Sequence, residues 1–238
     1  MEGSIDRMTQ HIGIVACSAE GASLCYRTIC AEGEQLLGTH DHPEVSMHTH
    51  SLAEYLKCIE RDDWNGVGDL MLSSANKLAS AGADFLICPD NTVHQAFDYV
   101  EARSPRPWLH IARVVEDEAS ARGFRRMGLT GTRWLVAGPV YPADYVRPNA
   151  AECEEINRII VEELTYGVFK PAAVSYFQKV FGRMKAAGCD AVVLACTEIP
   201  LIMNDSNSPL PTLDSTRLLA RAALAFAVES KSRSISRS

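Results

Sequence analysis

The chain has 238 residues, of which 47% are hydrophobic, and carries a formal net charge of -7. That length can bury one or two sizeable cores, and the acidic balance argues against nucleic acid or an anionic membrane surface as a main partner. No apolar run approaches the length of a membrane span and no secretion signal is read. The eight cysteines follow neither metal-ligand nor secreted-disulfide spacing, so they read as reduced thiols and the protein is expected in the cytoplasm.

Ile12 to Ala16 is a compact apolar run, predicted as a strand, that ends on Cys17-Ser18-Ala19-Glu20-Gly21. The small residues of that turn, Ser18 among them, let backbone N–H groups approach a ligand carboxylate. A helix is expected over 22–37. Glu44 to His50 then alternates as a strand does, with Val45 and Met47 on one face and Ser46, His48 and His50 on the other, which makes His48 a candidate ligand contact. Met71, Ala75 and Leu78 carry a helical period, followed by Ala81-Gly82-Ala83-Asp84 and the apolar run Phe85-Leu86-Ile87-Cys88. That run stops on Pro89-Asp90-Asn91-Thr92, and a helix is expected over 94–102.

Ser104-Pro105-Arg106-Pro107 interrupts the chain and is taken as the crossing into a second half. There a strand is expected at 108–111, a helix at 114–122, a strand at 126–130, and helices at 151–164 and 171–187. Ala187-Gly188-Cys189-Asp190-Ala191-Val192-Val193-Leu194-Ala195-Cys196-Thr197-Glu198 follows. It aligns without a gap on Ala81 to Thr92, placing Asp84 on Asp190 and Asp90 on Cys196. A weaker match sets Ile12 to Cys17 on Met127 to Thr132. Pro209 to Asp214 reads as a crossing back, and 215–228 as a last helix that packs on the first half.

The resulting expectation is an α/β fold of two pseudo-symmetric lobes, each a small parallel sheet flanked by helices. The first lobe is discontinuous, residues 9–104 plus 210–228; the second spans 105–209; residues 1–8 and 229–238 are tails without fixed structure. In open parallel sheets ligands bind beyond the carboxyl ends of the strands, so Cys196, Thr197 and Glu198 fall where chemistry is expected.

With Asn91-Thr92-x-His94, Gly128-Leu129-x-Gly131-Thr132, Gly138-Pro139-x-Tyr141, Cys196-Thr197-Glu198-Ile199-Pro200 and Leu213-Asp214-Ser215-Thr216 in hand, the sequence resembles the aspartate/glutamate racemase family from about His11 to Ala227. The resemblance implies an active site in the cleft between the lobes, a homodimer, and racemisation without pyridoxal phosphate or another cofactor. One thiol per lobe takes or returns the α-proton of an amino acid or related small carboxylic acid. Related members use the cleft for isomerisation or decarboxylation. The chain departs from the family pattern in three places. Asp90 stands where a cysteine directly precedes Asn-Thr, with Cys88 two residues earlier; the stretch from Tyr141 to Pro148 is short, so that a strand-forming piece of the second lobe is expected to be missing; and Leu135 stands where threonine is common.

Inverting an acidic carbon needs a base on one face and an acid on the other. A thiol with a free pKa near ~8.5 serves in either form, whereas a carboxyl near ~3.9 serves only if burial raises it. Cys196 and Asp90 are therefore the catalytic candidates, with Asp90 alternatively a helix cap. Ser18, His48, Asn91, Thr92, Thr132, Thr197 and Glu198 are the substrate-binding candidates, and no metal site is read. Cys17, Cys25, Cys30, Cys58, Cys153 and Cys189 are assigned to packing or surface positions. A one-thiol lyase or decarboxylase, and a non-catalytic small-molecule binding protein, are the alternative readings. Acidic-substrate members of the family use a basic residue for the distal carboxylate; Leu164-Thr165-Tyr166-Gly167 offers none, although His48, His50 or a distant Arg could serve, and strict aspartate specificity is not expected.

Overall fold

The computed structural model describes residues 9–235, with side chains described to residue 228. The expected tails at 1–8 and 236–238 lie outside the described residues. In the first sheet the strands are β1 (Ile12–Ala16), β2 (Val45–Thr49), β3 (Phe85–Ile87) and β4 (Trp108–Leu109), in the order β2-β1-β3-β4 and all parallel. The second sheet holds β5 (Met127–Thr130), β6 (Ala191–Leu194) and β7 (Thr212–Asp214), also parallel. The central strands are buried along their whole length, as the unbroken apolar runs require.

Nine α-helices are described: α1 (Ala19–Leu37), α2 (Leu52–Ile59), α3 (Trp64–Ser80), α4 (Phe97–Glu101), α5 (Ile111–Ala121), α6 (Arg133–Ala137), α7 (Ala150–Glu162), α8 (Pro171–Ala186) and α9 (Ser215–Ile235). None of the described helices is long and apolar enough to cross a membrane. Helix α9 runs past residue 228, so 229–235 continue a helix where a tail was expected.

The repeat has a structural cause. Gly82 and Gly188 close the helices before β3 and β6 at φ 96° and 89°, a conformation glycine adopts at no steric cost. Two residues on, Asp84 takes the His11 N–H at 2.8 Å, and Asp190 takes the Arg125 and Arg126 N–H groups at 2.8 and 3.1 Å. Each aspartate thereby ties the start of its strand to the start of the neighbouring one. The helices that follow the edge strands are capped alike. His110 Nδ1 accepts from Ala112 and Arg113 N–H, and Asp214 Oδ1 accepts from Thr216 and Arg217 N–H.

The lobe boundaries differ from those read in the sequence. Trp108–Leu109, assigned to the second lobe, pairs with β3 as an edge of the first sheet, and Thr212–Asp214, assigned to the first lobe, pairs with β6. What crosses over is the helix after each edge strand. Ala112, Val115 and Ala119 of α5 pack with Leu129, Ala191, Val193 and Leu213 of the second sheet. Leu219, Ala220, Ala223 and Ala227 of α9 pack with Ile12, Ile14, Phe85 and Ile87 of the first. The exchange buries apolar surface between the lobes and fixes the cleft.

The short Tyr141–Pro148 stretch leaves the second lobe intact. Val146 forms a parallel bridge to Gly128, giving its N–H to Met127 O and accepting from Leu129 N–H, both at 2.9 Å. One residue occupies the place that β2 holds beside β1.

Candidate active site

Strand ends from both lobes converge on a cavity of about 420 Å³. The first lobe contributes Cys17 and Ser18 after β1 and Asp90 and Thr92 after β3; the second contributes Thr132 after β5 and Cys196, Thr197 and Glu198 after β6. Leu52, Leu56 and Ile59 of α2, together with Trp134, Ile160 and Val161, supply the apolar wall, and among the described residues no Lys, Arg or His lines the cavity.

On the second wall the Cys196 thiol donates to Glu198 Oε2 at 2.9 Å. Burial first, then the Glu198 carboxyl, pushes this thiol well above its usual range, so it rests protonated. On the first wall the Asp90 carboxyl accepts from Val93 N–H at 3.2 Å and from Thr92 N–H, which caps the 3₁₀ turn Thr92–Ala96. The Cys17 thiol donates to the same carboxyl. Burial raises Asp90, and burial with the adjacent Asp90 raises Cys17 well above its usual range. The cap and the acid/base candidate are thus one group.

His94 fixes the backbone beneath Asp90. Its Nδ1–H donates to the Asp90 carbonyl at 2.6 Å and its Nε2 accepts from Ile111 N–H at 3.5 Å, the neutral tautomer. Burial pushes its pKa down to about 3.

Four hydroxyls bridge the lobes at the cavity. Ser18 Oγ lies 3.4 Å from Thr197 Oγ1, and Thr92 Oγ1 lies 3.0 Å from Thr132 Oγ1. Ser18 also caps α1, accepting from Gly21 N–H, and Thr132 caps α6, accepting from Leu135 N–H. Leu135 itself is a fully buried core residue.

Two expected ligand contacts are not at the site. His48 sits on β2 away from the cavity, its Nδ1 2.9 Å from Ser74 Oγ and its Nε2 3.0 Å from Lys77 Nζ. The polar face of β2 packs on α3, which is why its histidines alternate. Asn91 is buried and spent on structure: its Nδ2 donates to Ser215 Oγ at 2.9 Å and its Oδ1 accepts from Tyr141 OH at 2.7 Å. Cys88 is fully buried in the first core and does not line the cavity. Conversely Cys17, read as a packing residue, lines the cavity beside Asp90. The signal for it was present, since the repeat aligns Cys17 with Thr132, itself a site candidate.

The profile of the Asp/Glu/hydantoin racemase family matches residues 12–223. The chain belongs to this family. The broad specificity amino-acid racemase RacX of Bacillus subtilis (strain 168) is 22% identical over 190 residues, covering 77% of this chain and 82% of RacX. An aspartate racemase homologue from Pyrococcus horikoshii OT3 superposes with a TM-score of 0.80 at 26% identity, over 92% of this chain and 100% of that one. Arylmalonate decarboxylase shares the fold, with a TM-score of 0.53 at 14% identity over 91% of this chain and 92% of that one. Family and relatives make this member of the Asp/Glu/hydantoin racemase family an enzyme of the isomerase type, a racemase, with two small parallel sheets around the cleft.

Proposed function

We propose that this protein racemises or epimerises a neutral amino acid without a cofactor, moving the α-proton between the two walls of the cleft. Cys196 is the acid/base group of one wall and the Asp90 carboxyl that of the other. One observation carries the reading: Asp90 and Cys196, aligned by the repeat, both line one cavity from opposite lobes. A base on one face of the α-carbon and an acid on the other is what inversion demands. A free carboxyl lies near ~3.9, some ~4.6 units below a free thiol as a base, and desolvation at the cavity wall raises Asp90 from that starting point.

The hydroxyls of Ser18, Thr92, Thr132 and Thr197 hold the substrate's α-carboxylate and ammonium groups, while Leu52, Leu56, Trp134 and Ile160 receive its side chain. The charged groups of the lining are the carboxyls Glu60, Asp90 and Glu198. A second substrate carboxylate would meet repulsion and find no cation among the described lining residues, so aspartate and glutamate are poor substrates. Incubating a panel of amino acids in deuterated water tests the proposal. Racemisation that places deuterium at the α-carbon of the product enantiomer, and that Cys196→Ala abolishes, is expected; Cys196→Ala racemising as fast as the parent would refute the mechanism.

A further inference from the structure

In the first lobe the paired strands β1 and β3 match Ile12 with Phe85 and Ile14 with Ile87, and in the second lobe β5 and β6 match Met127 with Ala191 and Thr130 with Leu194. Continued at the same spacing to the cleft, the first register sets Cys17 beside Asp90 and the second sets Thr132 beside Cys196. The two lobes therefore present the same pair of positions to the cavity, differently filled. In the second lobe the thiol stands on the β6 end and a hydroxyl on the β5 end. In the first lobe the thiol stands on the β1 end and a carboxyl on the β3 end.

Each thiol has a carboxyl partner. Cys196 donates to Glu198, and Cys17 donates to Asp90. The Asp90 carboxyl already accepts two backbone N–H groups, and Cys17 is the thiol of the first lobe that reaches the cavity. We infer that Cys17 is the second acid/base thiol of the cleft, exchanging the α-proton with substrate while Asp90 takes up the thiol's own proton. The inference rests on the racemase reading above and sets Cys17 between the Asp90 carboxyl and the substrate on the first wall.

The proton balance is closed. For one enantiomer, Asp90 takes the Cys17 proton, the Cys17 thiolate takes the α-proton, and the Cys196 thiol gives its proton to the opposite face of the carbanion. The cycle leaves Cys17 and Asp90 protonated and Cys196 as thiolate; after product leaves, the Asp90 proton returns to Cys196 through solvent. The other enantiomer runs the same steps from Cys196 and Glu198. Because both walls rest as a thiol on a carboxylate, neither enantiomer has to wait for a prior redistribution of protons. Lopsided catalysis, which a thiol facing a bare carboxylate would produce, is not expected.

The test is enantiomer-specific deuterium wash-in, followed by proton NMR, with each enantiomer of leucine, methionine and phenylalanine. Cys17→Ser should lower racemisation by about a hundredfold or more. It should leave α-exchange with retention in one enantiomer only, the one whose α-hydrogen faces Cys196; Cys196→Ser should leave exchange in the other enantiomer only. The retained one-face exchange also reports that each variant is folded. Cys17→Ser with Asp90→Cys should recover part of the racemisation, because the thiol returns to the register position that Cys196 occupies in its own lobe. Racemisation by Cys17→Ser within about threefold of the parent, with exchange in both enantiomers, overturns the inference and leaves Asp90 as the direct base. Loss of exchange in both enantiomers at unchanged thermal stability also overturns it. A parent protein that exchanges no amino acid refutes the racemase reading itself, an outcome separate from these.

Discussion

Tyr141 OH donates to Asn91 Oδ1 at 2.7 Å, joining the residue next to Asp90 to the opposite lobe. Asn91 Nδ2 continues to Ser215 Oγ, and Ser215 Oγ–H donates to the Leu194 carbonyl at the end of β6 at 3.0 Å. The chain of bonds links the strand end that carries Asp90 to the strand end that leads into Cys196. The separation of the two acid/base walls is therefore set by buried polar groups as well as by the exchanged helices.

Replacing Asn91 with alanine leaves Tyr141 OH and Ser215 Oγ without that partner in a buried site. Ser215 Oγ keeps its bond to the Leu194 carbonyl, so the cost falls chiefly on the Tyr141 hydroxyl, roughly 1–3 kcal/mol for an unsatisfied buried group. Urea unfolding should show a lower midpoint with an unchanged slope. A variant as stable as the parent would mean that the network contributes nothing to lobe docking.

Glu198→Gln keeps the shape of the Cys196 partner and removes its ability to take a proton. The expected result is a fall in kcat of about a hundredfold, with KM within a few-fold of the parent. Steady-state kinetics on both enantiomers separate this from a structural effect, which would move thermal stability and leave the kcat of the folded fraction unchanged.

Val161 lines the cavity and is 43% exposed, so an arginine there keeps its charge hydrated while reaching the apolar wall. Val161→Arg should raise kcat/KM for aspartate and lower it for leucine. An unchanged ratio of the two would place the substrate side chain elsewhere in the cleft.

Burial holds the pKa of His94 at about 3 and that of His110 at about 4, against ~6.5 in an unfolded chain. The unfolded state then binds protons that the fold excludes, so their contribution to stability is complete above about pH 6.5 and falls as pH drops toward 4 and then 3. At pH 5 the loss from His94 alone is about 2 kcal/mol, from ~1.4 kcal/mol per pH unit. Urea midpoints at pH 7 and pH 5 should differ less in His94→Gln than in the parent; equal differences would show that His94 does not drive the acid sensitivity.

The repeat was the most legible part of the sequence, because Ala-Gly-x-Asp before an apolar run encodes a left-handed turn, a strand-start cap and a buried strand at once. Sheet membership was not legible for Trp108–Leu109 and Thr212–Asp214. Strands of two and three residues carry no periodicity that says which neighbour they pair with, and the helices after them pack on the opposite lobe. His48 misled because the inward face of an edge strand under a polar helix alternates in the same way as a ligand-binding one. Asn91 misled because its neighbours Asp90 and Thr92 do line the cavity, while its own side chain is claimed by Tyr141 and Ser215, distant in sequence. Cys17 was legible only through the weaker repeat, which aligns it with Thr132; the pairing of β1 with β3 then brings it level with Asp90.

The central claim is that the cleft inverts the α-carbon of a neutral amino acid and does nothing else to it. Its most direct test is the optical rotation of L-leucine, L-methionine or L-phenylalanine incubated with the protein and no added cofactor, with mass spectrometry of the same samples. Rotation should decay to zero from either enantiomer with the substrate mass conserved, and Cys196→Ala should hold the rotation constant. Constant rotation with the parent protein for all three, or the appearance of a decarboxylated or cleaved product, would contradict the account.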